Sequence, residues 1–138
     1  MSLIFVYGSL KSGFQNAHVN QGVQQPGAFR TRERYPLLLL GDGHVPCIVL
    51  QPGSGHQVLG ELYEAGPEAL ARMDKLERLD EPRGYRRVSI EVEAMAADAS
   101  AVLMVQVYVK PPEHVSAGEQ RAGPLAEYTA EYAERFKW

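Results

Sequence analysis

Residues 86–94, RRVSIEVEA, alternate strictly, with Val88, Ile90 and Val92 on one side and Ser89, Glu91 and Glu93 on the other. That period marks a β-strand with one dry face and one wet face. A second strand-like run, VLMVQVYVK at 102–110, follows the small-residue stretch AMAADASA, so the two segments are expected to pair as a hairpin with a long loop. The Pro-Pro of KPPEH ends the second strand. This hairpin needs other elements to cover its dry face.

Most of those elements also read as strands. LIFVY at 3–7 is apolar, β-prone and stopped by Gly8, and PLLLLG and CIVLQPG are compact apolar runs closed by turn signals. AFRTRERY alternates imperfectly. QVLGELYEAG places Val58, Gly60 and Leu62 on one side, and a glycine in mid-strand predicts a bulge or a close backbone approach.

Two segments read as helices. GPEALARMDKLERLDEP has Pro67 in its first turn, Glu68 near its positive end, and Pro82 to prevent continuation past Glu81. GPLAEYTAEYAERFKW spaces Tyr128, Tyr132 and Phe136 four apart, as in a docked C-terminal helix. Six or seven strands with two helices and no regular alternation predict a small mixed α+β fold, with 1–138 as a single domain.

The net charge of −3 provides no basic surface for nucleic acid or anionic membrane. With 45% hydrophobic residues and a single cysteine, the chain reads as an ordinary globule of a reducing compartment. The first apolar run is short and has no positive region before it, so neither a signal peptide nor a membrane span is expected, and the cytoplasm is the expected location. His18, His44, His56 and His114 lie in four separate segments without metal-ligand spacing. No phosphate-binding glycine motif occurs, Ser9 lacks the G-x-S-x-G frame, and Cys47 lies in an apolar run that suits a small buried side chain. No metal or cofactor is therefore expected.

Two features remain. Ala69, Leu70, Met73 and Leu76 define the apolar stripe of the first helix; Glu77 falls at its edge, Asp74 well outside it, and Asp80 inward if the helix runs on. A carboxylate facing a core is costly unless paired or unless its pKa rises. Glu77 is therefore either a helix-end residue bonded to backbone, Arg86 or Arg87, or a general base in an apolar cavity. Tyr7-Gly8-Ser9-Leu10 is likewise either a turn in which glycine takes positive φ or a concave run of N–H groups that binds an anion. By itself it reads as the turn.

The order of VYGSLKSGFQNAHV, YPLLLLGDGHVPCIVLQPGSGHQVLGELYE, LARMDKLERLDEPRGYRRVSIEV and VQVYVK resembles the γ-glutamylcyclotransferase-like (AIG2-like) superfamily, in particular its γ-glutamylaminecyclotransferase branch. The resemblance runs from residue 3 to about residue 112 and implies a small mixed β-barrel with flanking helices. It implies conversion of a γ-glutamyl amide, such as γ-glutamyl-ε-lysine, to 5-oxoproline and a free amine. Glu77 would be the catalytic acid/base. The loop Tyr7, Gly8, Ser9 and Leu10 would hold the glutamyl carboxylate or the reacting carbonyl, and Tyr85 and Tyr108 would line or close the pocket.

On this reading the substrate is a small molecule, no cofactor takes part, and the chain is a monomer or at most a weak dimer. The rivals are a cyclotransferase dedicated to one biosynthetic substrate, a binding protein that has kept the cavity without turnover, and, last, a hydrolase using Ser9 or Cys47.

Overall fold

The computed structural model describes residues 2–79, 81, 84–95 and 102–134. It contains nine strands: β1 Ser2–Val6, β2 Val23–Gln24, β3 Phe29–Thr31, β4 Leu37–Leu40, β5 Val45–Val49, β6 Leu59–Ala65, β7 Arg86–Ala94, β8 Val102–Lys110 and β9 Gln120–Leu125. Helix α1 spans Pro67–Leu76 and helix α2 spans Ala130–Ala133. The expected hairpin is present as β7 and β8, antiparallel from Arg86 opposite Val109 to Glu93 opposite Val102. Ile90 and Val92 face Val105 and Leu103, and this side enters the core.

Strand pairing closes a five-strand ring, β1-β6-β3-β7-β8, because β8 returns to pair with β1 in parallel. The closing edge is shared. β8 meets β1 at Gln106 and Val107, then meets β5 at Val109 and Lys110, also in parallel. The edge therefore forks at Tyr108, and β5, β4 and β9 extend from the barrel as a side sheet.

Two apolar clusters explain the continuous apolar runs. Phe5, Leu37, Leu39, Ile48 and Leu62 fill the barrel side, whereas Ile4, Val6, Leu38, Leu40, Cys47, Val49 and Tyr63 pack outside it, with Ala69 and Met73 of α1. Strands buried on both faces lose their polar alternation. The predicted close approach at Gly60 is found: an added Cβ would sit 2.5 Å from the Val6 carbonyl oxygen.

Three expectations require correction. The first helix does not reach Glu81: it ends at Leu76, Glu77 is its C-cap, and Arg78 turns left-handed at φ +56°. Gly84 packs so tightly against that turn that a Cβ would lie 1.8 Å from the Arg78 carbonyl oxygen. Asp80, the inward competitor to Glu77, lies outside the described residues, as does most of the AMAADASA loop.

The second correction concerns the C-terminal segment, where Gly123 and Pro124 belong to β9 and, among its described residues, only Ala130–Ala133 is helical. Gly123 crosses β4 with φ +108°, where a Cβ would meet the Leu37 carbonyl oxygen at 2.5 Å. Tyr128 precedes the helix and is fully buried in the barrel cluster, so its burial outweighs the helical spacing; Phe136 lies outside the described residues. Finally, of AFRTRERY only Phe29–Thr31 is strand, and CIVLQPG contributes to a strand that begins earlier, at Val45.

Candidate active site

The loop after β1 begins at the fork. The Tyr7 hydroxyl donates to the Tyr108 carbonyl oxygen at 2.7 Å and accepts from the Ile48 N–H at 3.0 Å, joining all three strands that meet there. Its hydroxyl is thus committed to the fold. Gly8 does not take a positive φ, contrary to the turn reading; glycine is needed because an added Cβ would lie 2.7 Å from Cγ of Pro46.

The Lys11 N–H closes a turn onto the Gly8 carbonyl at 3.0 Å, and the Asn16 N–H bonds the Ser9 carbonyl at 2.8 Å. The N–H groups of Gly8, Ser9 and Leu10 donate to no acceptor among the described residues. The Ser9 hydroxyl accepts from the Asn16 side-chain amide at 2.9 Å.

The loop is anchored from behind. The Lys11 ammonium, buried with the rest of its side chain, donates to the Tyr128 carbonyl oxygen at 2.5 Å and lies 4.4 Å over the Phe14 ring. Gln15 donates to the Tyr128 hydroxyl at 2.9 Å. Burial lowers the Lys11 pKa, opposed by the fields of Glu127 and Glu61.

Glu77 faces this loop from the end of α1. Its N–H bonds the Met73 carbonyl at 3.0 Å and its carbonyl accepts from the Tyr85 N–H at 3.1 Å, so the backbone is fixed on both sides. Its carboxylate accepts no hydrogen bond among the described residues. Glu77 is half-buried, and desolvation pushes its pKa up to about 7 against the opposing charges of Lys110 and Arg78.

Glu77 does cap the helix, but neither arginine of the helix-end alternative pairs with its carboxylate among the described residues. Arg87 is spent on Asp74 at 2.6 Å, and Arg86 bonds the carbonyls of Leu79, Glu81, Gly84 and Tyr85 at 3.1–3.5 Å.

Two spaces adjoin Glu77. A cleft of about 20 Å³ is lined by Val6, the Tyr7-to-Leu10 loop, Tyr108 and Glu77. A larger cavity of about 580 Å³ has walls that include Leu40, Val45, Tyr85, Lys110 and Glu77. Among the described residues, only Glu77 lines both.

Tyr108 is almost wholly buried and its hydroxyl donates to Asp74 at 2.7 Å, while Tyr85 donates to the Pro46 carbonyl oxygen at 2.7 Å. Burial raises both phenol pKa values, so both stay neutral donors at any working pH. The structure brings the predicted residues together: Tyr7 to Leu10, Tyr108 and Glu77 around the cleft, and Tyr85 around the cavity.

Residues 4–130 match the family described as gamma-glutamyl cyclotransferase, AIG2-like. The chain belongs to that family. Human gamma-glutamylaminecyclotransferase is 35% identical over 120 residues, covering 79% of this chain and 77% of the human one. A relative from Arabidopsis thaliana is 40% identical over 90 residues, covering 61% of this chain. The matched stretch spans 46% of that plant relative and 66% of the mouse gamma-glutamylaminecyclotransferase, so it is about half to two thirds of their lengths. The crystal structure of an AIG2-like protein from mouse superimposes with a TM-score of 0.81 at 28% identity, covering 95% of this chain and 90% of that one.

Within this AIG2-like barrel, the hydrolase alternatives lack an activated nucleophile. Cys47 is fully buried, with its thiol pushed up to about 12, and the Ser9 hydroxyl is engaged by Asn16. Among the described residues no group of three His, Cys, Asp or Glu side chains could hold a metal ion, and no helix is long and apolar enough to cross a membrane.

Sequence reasoning missed Lys11 and Lys110, and named Asp74 and Arg87 without pairing them with each other. Lysine directly after an apolar loop is a signal for Lys11, since only a buried acceptor makes that burial tolerable. Asp74 pairs with residues 13 and 34 positions away, which nothing local in the sequence foretells.

Proposed function

We propose that this protein is a cofactor-independent cyclotransferase that converts a γ-glutamyl amide, of the γ-glutamyl-ε-lysine type, into 5-oxoproline and the free amine. The observation that supports it most is Glu77, a carboxyl near pKa 7 with no hydrogen-bond donor among the described residues, between a water-sized cleft and a cavity large enough for an amine. A cleft of about 20 Å³ admits a single polar atom such as a carbonyl oxygen.

The reaction then divides between chain and substrate. The substrate's α-amine attacks its own side-chain amide carbon, and holding that geometry can contribute roughly 7–11 kcal/mol to lowering the barrier. Glu77 takes the proton released from the attacking nitrogen. The unpaired N–H groups of Gly8, Ser9 and Leu10 hold the oxyanion that forms on the carbonyl oxygen. As the old C–N bond breaks, Glu77 returns the proton to the leaving amine, so no net proton is gained or lost.

Contact with both sides of the scissile bond is what this shuttle needs, and Glu77 borders both spaces. A carboxyl near 7 is about half ionised at neutral pH, so it can serve as base and then as acid.

The test is product analysis. Incubation with γ-glutamyl-ε-lysine is expected to release 5-oxoproline and lysine in equal amounts, and Glu77→Gln is expected to lower turnover by about 10²–10⁴-fold while remaining folded. Free glutamate as product would replace cyclisation by hydrolysis. Binding of 5-oxoproline without turnover of any γ-glutamyl substrate would leave a binding protein.

A further inference from the structure

The larger cavity bears charges from Glu77, Arg78, Glu81, Lys110 and Glu119. Three of them are already engaged: Arg78 and Glu81 form an ion pair at 3.6 Å, and Glu119 accepts from the Ser116 N–H and hydroxyl at 3.1 and 2.9 Å. Lys110 is different. Its ammonium makes neither ion pair nor hydrogen bond among the described residues: it rests 5.1 Å over the face of Tyr85, and its charge acts on the Glu77 carboxyl without contact.

Its position is fixed from the backbone, because Lys110 is the last residue of β8 and pairs there with Val49 of β5. Tyr85 is itself immobilised by its bond to Pro46, so the ammonium lies on a rigid aromatic surface facing the cavity. A half-buried cation with open donor positions best matches a carboxylate.

We propose that Lys110 is a specificity-determining residue that receives a carboxylate carried by the leaving amine, so that the cavity takes amino-acid amines in preference to polyamines. This rests on the cyclisation reading, which places the leaving amine on the cavity side of Glu77. Lysine linked through its ε-nitrogen presents such a carboxylate. The matching polyamine, 1,5-diaminopentane, is the same chain with a terminal ammonium and no carboxylate, so the comparison isolates one group.

The experiment measures kcat/KM for 5-oxoproline release from γ-glutamyl-ε-lysine and from γ-glutamyl-1,5-diaminopentane. The natural chain is expected to favour the lysine substrate by about tenfold or more, the size of one charge-assisted hydrogen bond. In Lys110→Met and Lys110→Gln the ratio is expected to fall to about one, and in Lys110→Arg to persist. The ratio is unaffected by any loss of folded protein, because both substrates meet the same sample.

A ratio near one in the natural chain, a preference for the polyamine, or Lys110 variants that slow both substrates equally would each overturn the assignment while leaving cyclisation intact. Release of 5-oxoproline from neither substrate would overturn the cyclisation reading and this inference with it.

Discussion

A glutamate that titrates near 7 in the folded chain and near 4.5 in the unfolded chain takes up a proton on folding across the window between those values. Within that window the unfolded state binds fewer protons, so stability falls as pH rises from about 4.5 to about 7. Below the window Glu77 is neutral in both states and costs nothing. Above it the full penalty applies, on the order of 3 kcal/mol. Glu77→Gln should therefore melt several degrees higher than the natural chain at pH 8.5, with the gain fading by pH 4. A lower melting temperature at pH 8.5 would mean that the carboxylate has a stabilising partner. Activity should move the opposite way, with kcat/KM rising through about pH 7 as the base ionises. Two neighbours in the loop should separate equally clearly. Ser9→Ala loses only the Asn16 contact and should retain turnover within about tenfold, whereas Gly8→Ala drives a methyl into Pro46 and should cost about 1–3 kcal/mol along with most activity. A severe defect in Ser9→Ala would return the hydroxyl to consideration as a nucleophile.

Among the elements, those whose register is set by one wet face were legible in the sequence. The hairpin β7–β8 follows from the alternation of Val88, Ile90 and Val92, and α1 from Pro67 and its apolar stripe. The stripe flagged Glu77, but the helix ends one residue before it. The deciding contacts, the left-handed Arg78 and the packing of Gly84 against it, lie across a loop rather than along a helix. The C-terminal segment was misread for a related reason: Tyr128 and Tyr132 have helical spacing, yet Tyr128 is held by burial, Lys11 and Gln15 in a stretch outside any helix. That segment braces the loop. Lys11→Met leaves the Tyr128 carbonyl without its donor and should lower stability by about 1–3 kcal/mol in urea unfolding. It should also reduce turnover more than tenfold at temperatures where the variant is fully folded, with Lys11→Arg recovering part of both. Unchanged turnover would show that the loop keeps its shape without this anchor.

For the whole molecule, the fork in the edge of β8 determines where the loop and Glu77 can meet. Tyr7 spans that fork, and Tyr7→Phe leaves the Tyr108 carbonyl and the Ile48 N–H unpaired in the core, a loss of about 2–3 kcal/mol by urea unfolding. Unchanged stability with a raised KM would instead put the hydroxyl on the substrate. The loop and Glu77 both follow from elements packed on the closed ring, β1 and α1. The far wall of the larger cavity, with Leu40, Gly41, Val45 and Glu119, comes from the β4–β5 turn and the approach to β9, which belong to the side sheet. On the cyclisation reading, the loop and Glu77 belong to the ring and the far cavity wall to the side sheet, with Lys110 at the end of β8, where the two parts join. A lineage could exchange one amine for another by lengthening a turn or shifting a strand in the appended half, and inherit the proton shuttle unaltered.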